Sequence, residues 1–454
     1  MPRSRTPEFA RPAVLNCMLA AALGLSCQPA SAETLKESVL IALGRHPQIL
    51  GAQRNAEAIR HEVTGARNQN NVRFGLIAEP ALGYQRGEGR NRQGDLGAQA
   101  IKPIYDGGRI ENETEKQLAR LLGANYSTEA ARSDIAMRVA DAYVEVVKQS
   151  ELVGLARDYV NRIAALRKRV QQIVAYDKGR GYDLLQTESR LSQAQIIQAD
   201  REGQLADART ALEQLTGQPI HGYVAPPPAD PRIESLQEAM ASLNEHPAIR
   251  AGRAEVEAAR KAAAVASAWD KPSVNLRGRV NSPYDRNGNR QWFGGYDVAL
   301  VTDWNPFDGG VGAAAAAAAN AQILTAEETV ANTRRTLETD VAKHWTQIET
   351  RKGRVDTRAA LVESTRKVRA AYWEQFQIGK RSIVDLLNAE NEIYQARLGA
   401  AIEQQELEQA RYRLLGSTGQ LLPRLGIEAL PPVTEENRAA SGQNPRTPAL
   451  PELN

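Results

Sequence analysis

The sequence predicts an α+β membrane protein in which each chain supplies four β-strands to a trimeric, twelve-stranded barrel and long coiled-coil helices to a tunnel below it. Three observations lead to this fold class: the 454-residue chain repeats itself internally, each copy holds two strand-like stretches, and a proline-free segment (104–218 and 307–422) follows each pair. Charged residues make up 24% and aromatic residues 5%, which suits long polar helices better than a compact aromatic core.

The first 32 residues are predicted to be a secretory signal peptide. A positive start, a short apolar run and a small-residue cleavage site follow one another as Arg3, Arg5 and Arg11, residues 13–25, and Ala30-Ser31-Ala32. Both cysteines, Cys17 and Cys27, lie within this segment, so a mature chain beginning at Glu33 has no thiol and no disulfide. Lipidation of Cys27 is the alternative, but the preceding Gly24-Leu25-Ser26 matches a leucine-led lipidation box poorly.

An internal repeat divides the rest of the chain. Matching residues lie 200 to 202 positions apart: His46-Pro47 and His246-Pro247, Tyr105-Asp106-Gly107-Gly108 and Phe307-Asp308-Gly309-Gly310, Asp183-Leu184-Leu185 and Asp385-Leu386-Leu387, and Thr216-Gly217-Gln218 and Thr418-Gly419-Gln420. We therefore predict a first repeat over 33–216 and a second over 235–425. A proline-rich linker, 217–234, lies between them, and the polar 426–454 is predicted to be a disordered tail.

Each copy opens with a helix and continues with two stretches of strand character, in which apolar and polar residues alternate with period two. Strands are predicted over 72–84 and 96–104 in the first copy and over 274–281 and 296–304 in the second, with polar loops over 85–94 and 281–291. Pro80 and Pro103 suit edge or terminal strand positions, because proline cannot donate a hydrogen bond to a neighbouring strand.

The strand pairs end in Asp-Gly-Gly, and very long helices are predicted to follow. Apolar residues step alternately by four and three from Ile135 to Val174, which is a coiled-coil seam. A helix over Arg109–Tyr176 would be roughly 100 Å long at 1.5 Å per residue. The return helices carry leucine every seven residues and many alanines, which permit close helix approach.

Four strands cannot close a membrane barrel, since the smallest bacterial barrels have about eight. No segment after the signal approaches the roughly 18 continuous apolar residues of a transmembrane helix, so membrane entry would have to be by β-structure. Three chains would give twelve strands and a ring of twelve long helices, too wide for its side chains to fill. The sequence therefore predicts a homotrimer with a central passage.

The motifs resemble those of the TolC family of outer-membrane channels. The strongest match is Phe376-Gln-Ile-Gly379-Lys-Arg381-Ser-Ile-Val-Asp385-Leu-Leu-Asn388, together with the His-Pro openings and the Asp-Gly-Gly junctions. The resemblance implies a trimeric barrel in the outer-membrane lipid and a helical tunnel across the periplasm. It also implies a periplasmic adaptor (membrane fusion protein), an inner-membrane ABC transporter or RND pump, and an exported protein or small molecule as cargo.

The same resemblance implies a periplasmic gate at the tunnel tip. By resemblance, Arg381 ties to Asp183, Asp385 forms an inward acidic ring, Asn388 stands where a second acidic ring is found, and Phe376 replaces a tyrosine. The Asp106-Gly107-Gly108 and Asp308-Gly309-Gly310 segments mark the junction of barrel and helix. Two alternatives remain open: Arg381 and Asp183 as solvated charges at helix ends, and Asp385 as a helix cap.

Other function classes have less support. We expect no enzyme, no catalytic residue and no cofactor, because no Ser/His/Asp or Cys/His arrangement occurs, and the five scattered histidines give no metal-ligand spacing. A net charge of +3 gives no basic stripe for nucleic acid. A periplasmic coiled-coil scaffold would leave the strands unexplained. Within the channel class, the Gly379–Asn388 motif and the Tyr105–Arg109 junction favour type I protein secretion, and multidrug or metal efflux is the alternative.

Overall fold

The computed structural model describes residues 34–85, 89–219, 224, 233–285 and 294–434. The predicted signal peptide, most of the predicted linker and residues 435–454 of the predicted tail lie outside the described residues. The elements in chain order are α1 (Leu35–Arg45), α2 (Pro47–Asn68), β1 (Arg73–Gln85), β2 (Gly89–Tyr105), α3 (Arg109–Tyr176), α4 (Gly181–Thr216), α5 (Leu236–Ser242), α6 (Pro247–Ala266), β3 (Ser273–Asp285), β4 (Gly295–Asp303), α7 (Val311–Gln377), α8 (Ile383–Ser417) and α9 (Leu421–Arg424).

The same order of elements occurs twice along the chain. Two short helices, two strands, one very long helix and its shorter return helix run from α1 to α4 and again from α5 to α8. The bounds predicted for α3 from the sequence, Arg109–Tyr176, are those observed. A histidine caps the second helix of each set: the Nδ1 atom of His46 accepts from the Gln48 amide, and that of His246 from the Ala248 amide.

The four strands form one antiparallel sheet in the order β1-β2-β3-β4. β2 pairs with β3, so the sheet joins the two halves of the chain, and β1 and β4 are its edges. Within the described residues neither edge strand has an outer partner. Pro80 lies in edge strand β1, and Pro103 lies in β2 beside a register irregularity, which are the kinds of position that tolerate proline.

The polar loops predicted between the strands are wrong at the residues that the structure assigns to strands. Residues 89–94 belong to β2 and pair with β1, and residues 281–285 belong to β3 and pair with β2. Polar and glycine-rich residues have low strand propensity, but pairing with neighbouring strands on both sides overrides that preference in β2. The rest of the two predicted loops, residues 86–88 and 286–291, lies outside the described residues.

The helices form two antiparallel hairpins, α3–α4 and α7–α8, of which α3 is the central element. α3 packs against α1, α2, α4, α6 and α8, and the predicted seam from Ile135 to Val174 is buried or half-buried along its length. Further buried residues of α3 include Tyr143, Leu152 and Leu166. No helix among the described residues has the length and apolar character needed to span a bilayer.

The start of the predicted disordered tail is ordered. Residues 427–434 lie extended against α3, where Arg132 donates to the Glu428 carbonyl at 3.0 Å. Asn125 donates to the Val433 carbonyl and accepts from the Val433 amide, both at 3.1 Å. These bonds join residues about 300 positions apart, which local composition cannot reveal.

Candidate functional site

The two strand-to-helix junctions have the same construction. The Asp106 carboxylate accepts from the amides of Gly108 at 3.0 Å and Ile110 at 2.5 Å, and the Asp308 carboxylate accepts from those of Gly310 at 2.9 Å and Gly312 at 2.6 Å. Each aspartate thus satisfies amides that have no partner in the first turn of a helix. Both glycines of each pair have positive φ (Gly107, Gly108, Gly309 and Gly310). The Asp-Gly-Gly motif therefore makes the tight turn that starts each long helix.

Asp183 lies in the first turn of α4, at the tip of the first hairpin. Its carboxylate is bound by Arg180, whose Nη2 and Nε atoms lie 2.8 and 2.9 Å from the Asp183 Oδ2. Asp177 accepts from the Gly179 amide at 3.1 Å and shapes the turn between α3 and α4. Within the chain, Asp183 therefore has a local cation as partner. The three-residue spacing of Arg180 and Asp183 at a helix start was the sequence signal for this pair.

Asp385 lies in the first turn of α8, at the tip of the second hairpin. Ser382 is the N-cap, and its hydroxyl accepts from the Asp385 amide while the Asp385 carboxylate accepts from the Ser382 amide and hydroxyl. Asp385 is thus the third-residue member of a capping box rather than the cap itself. The Ser382 hydrogen bonds, assisted by Arg381, lower the pKa of Asp385 and keep its carboxylate charged. Capping leaves the exposed side of the carboxylate available for a second role.

Arg381 does not reach Asp183 within the chain. Its Nε donates to the Gln375 side chain at 3.0 Å, its Nη1 lies 3.7 Å from the Asp385 carboxylate, and its guanidinium stacks 4.3 Å from the Tyr372 ring centroid. Arg381 and Asp183 are each satisfied on their own hairpin. A link between them across neighbouring chains of a trimer stays a prediction.

Phe376 and Asn388 have contrasting surroundings. Phe376 is buried at the end of α7, with its ring centroid 6.3 Å from that of Trp373. Asn388 is exposed, and its side-chain carbonyl accepts a hydrogen bond from Arg190 of α4 at 3.3 Å. Reasoning from the sequence missed Arg190, because the contact joins two helices 198 positions apart.

The ends of the two helical hairpins thus hold all five predicted gate residues, and Asp183, Asp385 and Asn388 each lie beside an arginine. Among the described residues, no group of three or more His, Cys, Asp or Glu side chains could hold a metal ion. The arrangement is suited to fixing helix ends through charge-assisted bonds.

The chain matches a known protein family over most of its length. The family model for outer membrane efflux protein matches residues 40–218 and 240–420, which together make up most of the chain. The chain belongs to the outer membrane efflux protein family. This TolC-family chain is 22% identical over 427 residues to the outer membrane protein TolC of Vibrio cholerae, covering 91% of this chain and 95% of that protein. It is 26% identical to the protein CyaE of Bordetella pertussis, covering 70% and 65% of the two chains.

Solved structures show the same fold. The outer membrane protein VceC of Vibrio cholerae superposes with a TM-score of 0.73 at 16% identity, covering 85% of this chain and 96% of that chain. The TolC-family protein described here is therefore an outer-membrane channel component that extends into the periplasm. Channels of this family form trimers and work with an adaptor and an inner-membrane pump.

Proposed function

We propose that three copies of this chain form a twelve-stranded barrel and helical tunnel that serve as the exit duct of a type I protein secretion system. The observation that carries the proposal is one face of the sheet. Hydrogen-bonded neighbours share a face, and the register places Phe74, Leu76, Val280, Tyr296, Val298 and Leu300 together on it. All six side chains are strongly exposed in the single chain.

An exposed apolar sheet face with two open edges is unsuited to water. Apolar patches of this kind mark contact with protein or lipid, and open edges pair with other chains. The opposite face carries polar residues, among them Arg277, which lies 3.5 Å from Asp297. Lipid outside, a polar lumen inside and edges closed by two further copies account for all three features together.

The helical part also supports a closed ring of chains. α7 exposes most of its surface along its 67 residues, although it continues from the same sheet as the well-covered α3. A neighbouring copy would cover this flank. The duct would end at the two hairpin tips, where we propose that Asp183, Arg381 and Asp385 hold a periplasmic gate closed, together with Asn388 and Phe376.

Secretion of protein is supported by the Gly379–Asn388 motif and the Tyr105–Arg109 junction, which are similar to those of type I secretion channels. Such a duct acts with a periplasmic adaptor and an inner-membrane ABC transporter. The test is the secreted-protein profile of a strain lacking this gene, against its parent and a complemented strain. We expect one or a few large proteins to disappear from the medium and to return on complementation.

Drug or metal efflux with an RND pump is the second candidate. The family description names efflux, and a relative that is 22% identical over 400 residues is the outer membrane efflux protein BepC of Brucella suis. An unchanged secreted profile combined with raised susceptibility to drugs or metal ions would favour this candidate over protein secretion.

A further inference from the structure

The two helical hairpins meet along a seam between α3 and α8. Three polar pairs show which residues of the two helices lie opposite each other. They are Asp141–Arg413 at 2.9 Å, Glu151–Gln405 at 3.0 Å and Asp158–Arg397 at 3.5 Å. Between the first and the third pair, α3 advances by 17 residues while α8 recedes by 16, as antiparallel helices in steady contact do. The seam thus runs in constant register from the middle of the molecule towards the tips.

An aromatic stack continues this register. The rings of Tyr159 on α3 and Tyr394 on α8 are parallel to within 12°, with their centroids 4.6 Å apart. Both rings are buried. Offset stacking of two tyrosines holds the helices together without fixing a hydrogen-bond geometry.

Beyond the stack, the polar contact of α8 with the other hairpin is made to α4. Asn388 of α8 accepts from Arg190, which lies on α4 and not on α3. Among the described residues, this is the one hydrogen bond or ion pair that joins the two hairpins on the tip side of the stack. From Tyr394 to the helix start at Ile383, roughly 17 Å of α8 at 1.5 Å per residue therefore has a single polar link to the other hairpin.

Each hairpin is bonded internally over the same stretch. Arg167 of α3 lies 3.1 Å from Glu188 of α4, and Arg369 of α7 lies 3.1 Å from Glu390 of α8. Glu390 is only 3% exposed, so the ion pair that binds it is shielded from water and hard to separate. Near the tips, the polar links thus bind each hairpin internally more than they bind the two hairpins to each other, and apolar side chains of both hairpins fill the space between.

We propose that the Tyr159–Tyr394 stack is the pivot about which the two hairpin tips separate when the passage opens, an inference that rests on the proposed function. The Tyr394 hydroxyl and the second Glu390 carboxylate oxygen are buried and have no hydrogen-bond partner. One ring can therefore turn against the other without breaking a hydrogen bond at Tyr394. Separation beyond the pivot breaks only the Arg190–Asn388 bond among the polar links.

Paired cysteines test the pivot, because the sequence has no cysteine after Cys27. One variant, Arg190→Cys with Asn388→Cys, places a pair on the tip side of the stack. The matched control, Asp158→Cys with Arg397→Cys in an Asn388→Ala background, places a pair on the seam side. Purified full-length trimers are recorded in planar bilayers before and after reaction with a short bismaleimide crosslinker. The readout is the ratio of time spent in the high-conductance and low-conductance levels.

Before crosslinking, both variants lack the Arg190–Asn388 bond. We expect the ratio to exceed that of the wild type about fivefold, which corresponds to about 1 kcal/mol. Crosslinking the tip-side pair should bring the ratio to the wild-type value or below. Crosslinking the seam-side pair should leave it raised, because the seam does not move. In otherwise wild-type trimers, Tyr394→Phe should keep the wild-type ratio, since the hydroxyl is unbonded, whereas Tyr394→Ala should raise it.

Two results would overturn the pivot alone. Either both crosslinks return the ratio to the wild-type value, which means that movement extends past the stack, or neither crosslink does. Wild-type trimers that carry no current at all would instead contradict the proposed function. The pivot therefore fails in trimers that conduct, and the proposed function fails in trimers that do not.

Discussion

The two long helices of the chain have nearly the same length and the same start, but very different surroundings. α3 and α7 have 68 and 67 residues, and each follows an Asp-Gly-Gly turn. α3 buries 23 of its residues and α7 only four, so their shared pattern does not lead to shared packing. The difference arises because α3 has neighbours from both halves of the chain. Among the described residues, α7 packs only against α5, α6, α8 and the turn before α6.

This asymmetry shows that a single chain does not bury all of its apolar helix surface. An amphipathic helix is stabilised mainly by burying its apolar face, and α7 leaves Leu324, Leu361 and Val368 partly exposed. α3 is thus the centre of a core built from both halves of the chain, whereas α7 carries a surface that suits a further copy. The sheet likewise leaves its edge strands, β1 and β4, available for pairing with a further copy.

The largest expected effect comes from twin positions on α3 and α7, 202 residues apart. Leu166 is 4% exposed within the core around the tips, and Val368 is 40% exposed. We expect Leu166→Ala to lower the free energy of unfolding by about 3 kcal/mol, because it leaves a cavity. Val368→Ala should lower it by less than about 1 kcal/mol. Denaturant unfolding followed by helical circular dichroism measures both.

Val368→Ala should instead lower the temperature at which trimers dissociate on gels, because its side chain lies on the flank assigned to a neighbouring copy. Equal losses in unfolding free energy for the two variants would contradict the asymmetry between α3 and α7.

The second comparison concerns the twin junctions. Alanine at Gly107 or Gly309 forces a side chain into positive φ, at 71° and 73°, which costs about 1 kcal/mol in each case. At Gly107 the new Cβ would also lie 2.7 Å from the Lys271 Cβ, whereas at Gly309 it meets nothing within 4 Å. We therefore expect Gly107→Ala to cost about 2–3 kcal/mol and Gly309→Ala about 1 kcal/mol in thermal unfolding. Equal losses of unfolding free energy in the two variants would show that the Lys271 side chain moves aside freely.

The sequence predicted those features that depend on local chemistry. Asp-Gly-Gly and the absence of proline placed α3 to the residue, because a helix start and a helix breaker are local signals. The extra length of β2 and β3 was missed, since pairing with distant strands decides it. The pairing of Asp183 with Arg180 was missed although their three-residue spacing is a local signal, because Arg381 was taken as the partner of Asp183. The link from Arg190 to Asn388 was missed because it joins helices that are distant in the sequence.

The two histidine caps, His46 and His246, differ in burial, and we expect them to differ in how they affect the pH dependence of stability. His246 is buried, and burial lowers its pKa, while a hydrogen bond to the Gly416 carbonyl opposes the shift. The unfolded chain then binds a proton more readily than the folded one. The stability that His246 contributes is present above its ordinary pKa of about 6.5 and is lost as pH falls through the lowered value. Protonation also removes the Nδ1 lone pair that accepts from the Ala248 amide.

We therefore expect His246→Asn, which retains a capping oxygen, to weaken the acid destabilisation of the chain between about pH 7 and 5. The matched variant His46→Asn replaces the more exposed of the two caps and serves as the control. Thermal unfolding across that pH range compares the two. A larger change from His46→Asn than from His246→Asn would refute the difference in burial as the cause.

The smallest expected effect compares the polar groups at the second tip. Asp385 is charged, whereas Asn388 is neutral and accepts from Arg190, so a cation lies at the position where the resemblance predicts a second acidic ring. We expect Asn388→Asp to strengthen block of the conducting trimer by divalent cations, because carboxylates near a common axis attract them. The gain should be modest, since Arg190 would pair with the new carboxylate and neutralise part of its charge. Adding Arg190→Gln should release the full effect, and Asn388→Gln serves as the neutral control. Equal block in the wild type and in both aspartate variants would mean that this position does not face the passage.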